Sequence, residues 1–398
     1  MMAALYAARA GARVTLLEKN EKLGKKIYIT GKGRCNLTND CTLDEFLEAV
    51  PRNPRFLYAA LSKLNPQQTI MLIEELGCPV KVERGRRAFP VSDKASDVTR
   101  ALKNGMDRAG VKTLFNAEVA SINAADDAIT SVTLTDGRTF DCDAVIVATG
   151  GLSYPSTGST GDGHKFAKDL GHTLVPCCPS LTGFDTREMW PKALQGITLK
   201  NVALEAKLRN KSIFSQTGEM LFTHFGISGP LVIELSSLIC DKDVKSYDVW
   251  LDLKPGMTME QLNARFLREF SQAGKKKLSA IMTGFLPQRF ASIFPEIVGV
   301  DGEKVASQIS AQDRMKLATA MKHLPIQLLS TRSYSEAIVT RGGVSVKEVN
   351  ASTMMSKQVK GLYFAGEVMD VDAFTGGYNL QIAFSTGALA GISAAAQE

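Results

Sequence analysis

Gly361-Leu362-Tyr363-Phe364-Ala365-Gly366-Glu367, then Asp372 through Gly377, then Tyr378-Asn379-Leu380-Gln381: near its carboxyl end the chain spells a buried strand, a carboxylate at the strand's end, a glycine pair and a helix start. Open α/β sheets bind ligands just outside the carboxyl ends of their strands, so this order of parts suits a cofactor. Gly376 and Gly377 allow close backbone approach, and the amides and positive dipole end of the following helix can face an anion. The charged pyrimidine edge of a reduced flavin is one such anion, and a protein tunes a flavin through charge placed there. The plainer alternative is an ordinary β–turn–α unit whose glycines only shape a turn.

With 398 residues the chain is long for one core, and two or three domains are expected. Hydrophobic residues at 44% and charged residues at 22% describe an ordinary globular protein. No run approaches the ~18 apolar residues of a membrane span. The start, Met1-Met2-Ala3-Ala4-Leu5, has no basic region or cleavage pattern of a secretory signal. Seven cysteines without a C-x-x-C pair fit a reducing cytosol better than a disulfide framework, so a cytoplasmic protein is expected. The four histidines are not spaced as metal ligands. Net charge is +6, densest at Arg84-Gly85-Arg86-Arg87 and Lys275-Lys276-Lys277; such runs are usually solvated faces, with an RNA or acidic-substrate surface as the alternative.

Residues 2–10 read as an alanine-rich helix, and Ala12 to Leu17 as a buried strand ending in Glu18-Lys19. An acid at a strand end is what a dinucleotide-binding βαβ unit uses to hold the adenosine ribose. It lies about 20 residues beyond the glycine fingerprint. That count predicts a fingerprint at or before residue 1, with the preceding strand and phosphate loop lost; a shorter unit that never had the loop is the alternative.

Next, Gly31-Lys32-Gly33-Arg34-Cys35-Asn36-Leu37-Thr38-Asn39 concentrates glycines, a guanidinium and amides, which suits a backbone cradle for phosphate or a flavin edge. Cys35 has the composition of a redox site but the surroundings of a buried structural cysteine. Residues 42–76 read as helical, and 93–109 as an amphipathic helix. From Val111 the period changes: 112–115, 118–122, 129–134 and 139–140 alternate like strands, with Asp136-Gly137 as a hairpin turn. Ala144 to Ala148 is a fully buried strand of the parallel kind, ending in Thr149-Gly150-Gly151. Ser159 to His164 reads as a capped helix start.

From about Val175 to Tyr334 short alternating segments suggest barrel strands, with 258–322 mostly helical. Within this insert, His224 precedes Ser228, read as a helix cap, and Pro230, read as the first helical residue. A histidine beside a helix start could relay protons at neutral pH, or merely hydrogen-bond the turn. Arg341 reads as a turn residue, with contact to an anionic substrate as the alternative.

Taken in order, Leu17 to Asn20, Gly31 to Asn39, Ala148 to Gly151, Thr160 to Gly163, Phe222 to Pro230 and Phe364 to Gln381 resemble the BaiN-like flavoproteins, the NAD(P)/FAD-dependent or aminoacetone-oxidase-like oxidoreductases. The resemblance implies an α/β fold: a glutathione-reductase-like FAD domain with a Rossmann-type parallel sheet and a β-meander, built from both chain ends. It also implies an inserted β-barrel-like domain carrying a small helical subdomain. The expected division is 1–175 and 351–398 for the FAD domain, 176–257 with 323–350 for the barrel, and 258–322 for the helices. By resemblance Glu18 holds the FAD ribose, and Arg34, Cys35, Asn36, Gly150 and Gly151 line the cofactor. Glu367 bonds the ribityl chain or its neighbourhood, while Asn379 and Leu380 face the flavin pyrimidine. Lys19, Gly33, Val119, Thr149, Gly161, Asp162, Gly366 and Gly377 complete the expected contacts. The implied activity is hydride transfer at flavin N5 with a small-molecule substrate, His224 as the catalytic candidate and no metal. Without a second G-x-G-x-x-G, NAD(P)H is implied only as a transient donor. Two alternatives stand: a flavoenzyme reducing uracil in RNA, and a non-catalytic remnant without its cofactor.

Overall fold

In the computed structural model, which describes residues 1–396, the chain forms two compact units: Met1–Pro179 with the chain from Ser333 onward, and Ser180–Arg332. Residues 333–350, expected within the insert, belong to the first unit, because the strand Val339–Val344 pairs with Leu174–Ser180 and Ser345 N donates to Thr173 O.

The first unit is a Rossmann-type α/β body assembled from both chain ends. Thr15–Leu17 pairs in parallel with Lys112–Leu114, and Val145–Val147 pairs in parallel with Leu362–Phe364. Parallel neighbours need a crossover, and the amphipathic helix Ala95–Arg108 precedes Lys112, burying Val98, Leu102 and Met106. Lys112–Leu114 was expected to open the alternating strands; a three-residue strand carries too little pattern to distinguish the two sheets. The antiparallel meander consists of Val119–Ala125, Ala128–Leu134 and Thr139–Asp141. Its first turn places Asp126 and Asp127 at φ 49° and 58°, and its second is the expected Asp136-Gly137.

The last helix, Tyr378–Ala395, is buried on nearly every side. It closes on Met2–Arg9 through small residues: a Cβ on Gly391 would collide with the Ala3 carbonyl, so glycine lets the backbones meet. Leu5, Leu37, Leu102 and Ala388 share one core, while Phe46, Leu61, Tyr363, Phe364 and Ile382 share another. Each large side chain buried there contributes about 1.5–3 kcal/mol.

The second unit is an antiparallel sheet ordered Leu324–Pro325, Asp248–Asp252, Thr198–Leu208, Lys211–Phe222, Gly226–Ser228, Phe184–Thr186, Leu328–Thr331. Its edge strands are joined by Ile326 and Gln327 alone, so the sheet must curl until its edges meet. The expected helical segment holds Met259–Gln272, Gln288–Ile297 and Ala311–Lys322, two of them opened by capping boxes from Thr258 and Ser310. Among the described residues no helix is long and apolar enough to cross a membrane.

Candidate functional site

The carboxyl ends of the parallel strands of the first unit converge on one rim. Glu18 follows Thr15–Leu17, and its Oε1 accepts from the Asn20 backbone N at 2.9 Å and side-chain Nδ2 at 2.7 Å. Glu18 Oε2 carries no hydrogen bond among the described residues. Asn20 Nδ2 also donates to Thr157 O at 3.1 Å, while Lys19 Nζ reaches Thr160 Oγ1 and Asp162 Oδ2, each at 2.5 Å. These contacts tie the end of the first strand to the segment after Val145–Val147. Ala117 N donates to Glu18 O at 2.9 Å, which sets Val119 two residues from the same rim.

Asp162 is therefore spent on Lys19 and Thr160, and the helix Asp162–Asp169 starts from Gly161 at φ 89° without a side-chain cap; Ser159 does not cap it. The glycines here are explained by their protein neighbours. A Cβ on Gly150 would stand 2.8 Å from Ser159 Oγ, one on Gly151 2.6 Å from Thr340 Oγ1, and one on Gly161 2.8 Å from Leu152 Cδ2. On Gly163 it would collide with Thr149 Oγ1.

Glu367, at the end of Leu362–Phe364, is the hub of a network that sequence reasoning missed. Its Oε1 accepts from Ser153 Oγ and Thr340 N, both at 2.7 Å, and its Oε2 from Lys26 Nζ at 3.2 Å. Thr340 Oγ1 in turn accepts from Leu152 N at 2.7 Å and Ser153 N at 3.0 Å. The carboxylate thereby fixes the Gly150–Ser153 turn, and both its oxygens are engaged by the chain. Lys26, Ser153 and Thr340 lie far apart in sequence and in no motif. Tyr154, next in the loop, adopts φ 52°, a strained backbone for an aromatic residue, with Lys26 Nζ 5.7 Å from its ring centroid. Gly366, at φ 74°, passes its N–H to Thr386 Oγ1.

The segment Gly31–Asn39 and the Gly376–Gly377 turn meet. A Cβ on Gly377, at φ 104°, would collide with the Thr38 carbonyl group, and Asn39 Nδ2 donates to Gly376 O at 3.2 Å. Gly31, Lys32 and Gly33 are consecutively left-handed, and a Cβ on Gly33 would find nothing closer than Tyr28 O at 3.8 Å. The Arg34 guanidinium is engaged by Glu83 at 2.5 Å and Asp93 at 2.6 Å and lies over the Phe89 ring. Burial pushes the Cys35 thiol up to about 12, which leaves it a protonated core side chain without thiolate reactivity. Asn36 Oδ1 and Thr38 Oγ1 are buried without hydrogen-bond partners.

Helix Tyr378–Ala395 begins at Gly377 with no side-chain cap, leaving its first-turn amides open to another acceptor. The Asn379 side chain is used within the chain, accepting from Ala373 N at 2.9 Å and donating to Ala373 O at 2.7 Å. Leu380 packs against the core around Leu5 and Leu37.

Arg341 is neither a turn residue nor open to solvent. It sits inside Val339–Val344, 5% exposed, and grips Asp372 in two parallel bonds of 3.0 and 2.9 Å. His164 is also buried; its Nε2–H donates to Val368 O at 3.2 Å, and burial lowers its pKa, so it is neutral at physiological pH.

His224 lies in the second unit, exposed at the tip of the Thr223–Gly226 hairpin turn with its ring edge-on to Phe225. Ser228, expected as a cap, ends the strand Gly226–Ser228; Gly229 at φ 96° precedes helix Pro230–Ile239 and carries no capping side chain. Pro230 opens the helix as expected. No group of three or more His, Cys, Asp or Glu able to hold a metal occurs among the described residues.

The sequence model of the HI0933-like protein Rossmann domain matches residues 1–393. The chain is 32% identical over 399 residues to the 3-dehydro-bile acid delta(4,6)-reductase of Clostridium scindens, covering 99% of this chain and 96% of that one. It is 33% identical over 395 residues to the ribosomal RNA dihydrouridine synthase of Haemophilus influenzae, covering 97% and 93%. Among solved structures, the 3-ketosteroid delta1-dehydrogenase of Sterolibacterium denitrificans superposes with a TM-score of 0.51 at 13% identity over 100% of this chain and 97% of that chain, a likeness of fold alone.

Proposed function

The chain belongs to the HI0933-like Rossmann family, and from that premise we propose that it is an FAD-dependent oxidoreductase that saturates a carbon–carbon double bond conjugated to a carbonyl group. Two observations support this: a strand-end acid with an unbonded oxygen, and the meeting of segments from both chain ends at the Gly376–Gly377 turn. The residues fit the cofactor. Glu18 Oε2 would take a ribose hydroxyl, and the uncapped helix start at Tyr378 would stabilise negative charge on a ring edge. The buried, unpaired Asn36 Oδ1 and Thr38 Oγ1 would gain partners from a polar heterocycle. When bound, FAD supplies hydride transfer. Glu367 acts on the loop rather than on a substrate, holding Gly150–Ser153 through Ser153 and Thr340. Lys26 neutralises Glu367 and stands beside Tyr154.

The substrate class follows from what the two relatives share. A 3-oxo-4,6-diene and the uracil ring both place a double bond in conjugation with a carbonyl, which drains charge from the carbon that receives hydride. We propose the same polarity here, with NAD(P)H as donor and His224 as the candidate group for the balancing proton. Uracil in RNA is the second substrate reading, favoured by the arginine hairpin described below.

The test is a visible spectrum of the purified chain, with and without added FAD. Flavin bands that bleach with NADH or NADPH, and return on adding a 3-oxo-4,6-diene bile acid or ribosomal RNA, are expected. A protein that stays colourless with FAD sinks the proposal and leaves a non-catalytic scaffold. In the same assay His224→Ala should slow substrate-driven reoxidation at least tenfold without altering the spectrum.

A further inference from the structure

The hairpin Val80–Glu83 to Arg87–Pro90 turns through Arg84-Gly85-Arg86, with Glu83 and Arg87 as its last pair. Gly85 and Arg86 are both left-handed, at φ 76° and 58°. Glycine or asparagine suits the second position better, so an arginine there is held at a conformational cost. Arg84, Arg86 and Arg87 are all exposed.

Local acids do not cancel them all. Arg86 pairs with Glu45 at 2.5 Å, while Glu83 and Asp93 are taken by Arg34 and Lys81. Arg84 and Arg87 have no acidic partner among the described residues; the Arg87 Nε–H donates to the Arg84 carbonyl at 3.2 Å. Two positive charges therefore remain uncompensated at the tip. The tip is fastened to the candidate site: Asn39, 4% exposed, donates from Nδ2 to Gly85 O at 3.0 Å and to Gly376 O at 3.2 Å. Asp40 N donates to Arg86 O at 2.8 Å. One amide group thus bridges the basic tip and the turn that opens helix Tyr378–Ala395.

We propose that the Arg84–Arg87 hairpin grips backbone phosphates of an RNA strand whose base reaches the candidate site beside the Gly376–Gly377 turn. The proposal rests on the RNA reading of the site. The exposure of these arginines decides between a polyanion and a small anionic substrate. A single carboxylate gains little from a solvated guanidinium, because water screens the pair and both side chains lose freedom. A nucleic-acid strand gains by releasing condensed counterions for every phosphate neutralised, and exposure does not weaken that effect.

The experiment measures binding of the FAD-loaded full chain to a fluorescent single-stranded oligouridylate between 50 and 200 mM salt. The double variant Arg84→Ala, Arg87→Ala loses two phosphate contacts, which reduces the slope of log K against log salt by about 1.4. Over that fourfold salt range the wild type then loses about sevenfold more affinity than the variant. Arg84→Lys with Arg87→Lys keeps the charge and should retain the wild-type slope. So should Lys275→Ala with Lys276→Ala, which removes equal charge from the second unit. If the alanine variant loses its flavin bands, Arg84→Gln alone carries the test, with a slope change of about 0.7 expected. A wild type that binds with the hairpin variants unchanged overturns the assignment while the RNA reading survives. A wild type that does not bind overturns both.

Discussion

Burying a guanidinium and a carboxylate together, as Arg341 and Asp372 are buried, removes both from water and leaves each dependent on the other. The pair pins the Asp372–Gly377 loop to the strand Val339–Val344, so its integrity reaches the Gly376 turn. Arg341→Ala should destabilise the protein by about 3–5 kcal/mol, read from the urea midpoint, whereas Arg341→Met with Asp372→Leu should recover most of that loss. A single-variant loss below about 1 kcal/mol would show that solvent reaches the pair. At this scale the sequence was legible where a role is local. The place of Glu18 at a strand end could be read because a strand and the acid ending it are neighbours. Arg341 was misjudged because Gly342-Gly343 imitates a turn, while the acid that buries it lies 31 positions on. At Asn379 the side chain bonds Ala373 within the chain, which the sequence did not suggest. Whether a side chain is spent inside the chain depends on partners such as Ala373, which pattern does not reveal.

Among the elements, the loops rather than the strands decide the site, and their glycines are not equivalent. Gly377 must be glycine twice over, for its φ of 104° and for the Thr38 carbonyl against which a Cβ would press. Gly33 has the first constraint only, at φ 86°, with open space beside it. Left-handed strain costs a non-glycine residue about 1–3 kcal/mol. Gly33→Ala should therefore cost about 1 kcal/mol in a denaturant melt. Gly377→Ala should cost more than twice as much and release FAD, because Thr38 must also move. Equal losses at the two positions would mean that the Thr38 contact yields freely. The glycine clusters were legible as points of close approach; what approaches was not. At Gly150, Gly151 and Gly163 the neighbours are Ser159, Thr340 and Thr149, of which Thr340 comes from a distant segment, so part of the tightness at these glycines is set by the protein itself. The helix Pro230–Ile239 shows a related limit, since Ser228 has the chemistry of a cap but is held in a strand pair with Leu221.

For the whole molecule, the division into two units has a consequence for folding. The segment Ser180–Arg332 is continuous, and it holds a core of its own around Phe184, Leu204, Phe222, Leu251, Phe266, Phe290 and Leu317. Its entry and exit lie together, because Phe184 pairs with Thr331 and Arg332 N donates to Gly183 O at 3.0 Å. Excision therefore leaves two adjacent ends and breaks no strand of its sheet. A segment of this length buries enough surface to fold unaided. Both tryptophans of the chain, Trp190 and Trp250, lie within it, so indole emission reports this unit alone, while flavin absorption reports the Rossmann-type unit. Residues 180–332 expressed alone should melt in a single cooperative transition, followed by the emission shift of Trp250, which is buried beside His323 at a ring distance of 4.4 Å. In the intact protein the same tryptophan transition should appear separately from loss of the flavin bands. A gradual shift without a cooperative step, in a fragment that binds hydrophobic dye, would show that this core needs the rest of the chain to form.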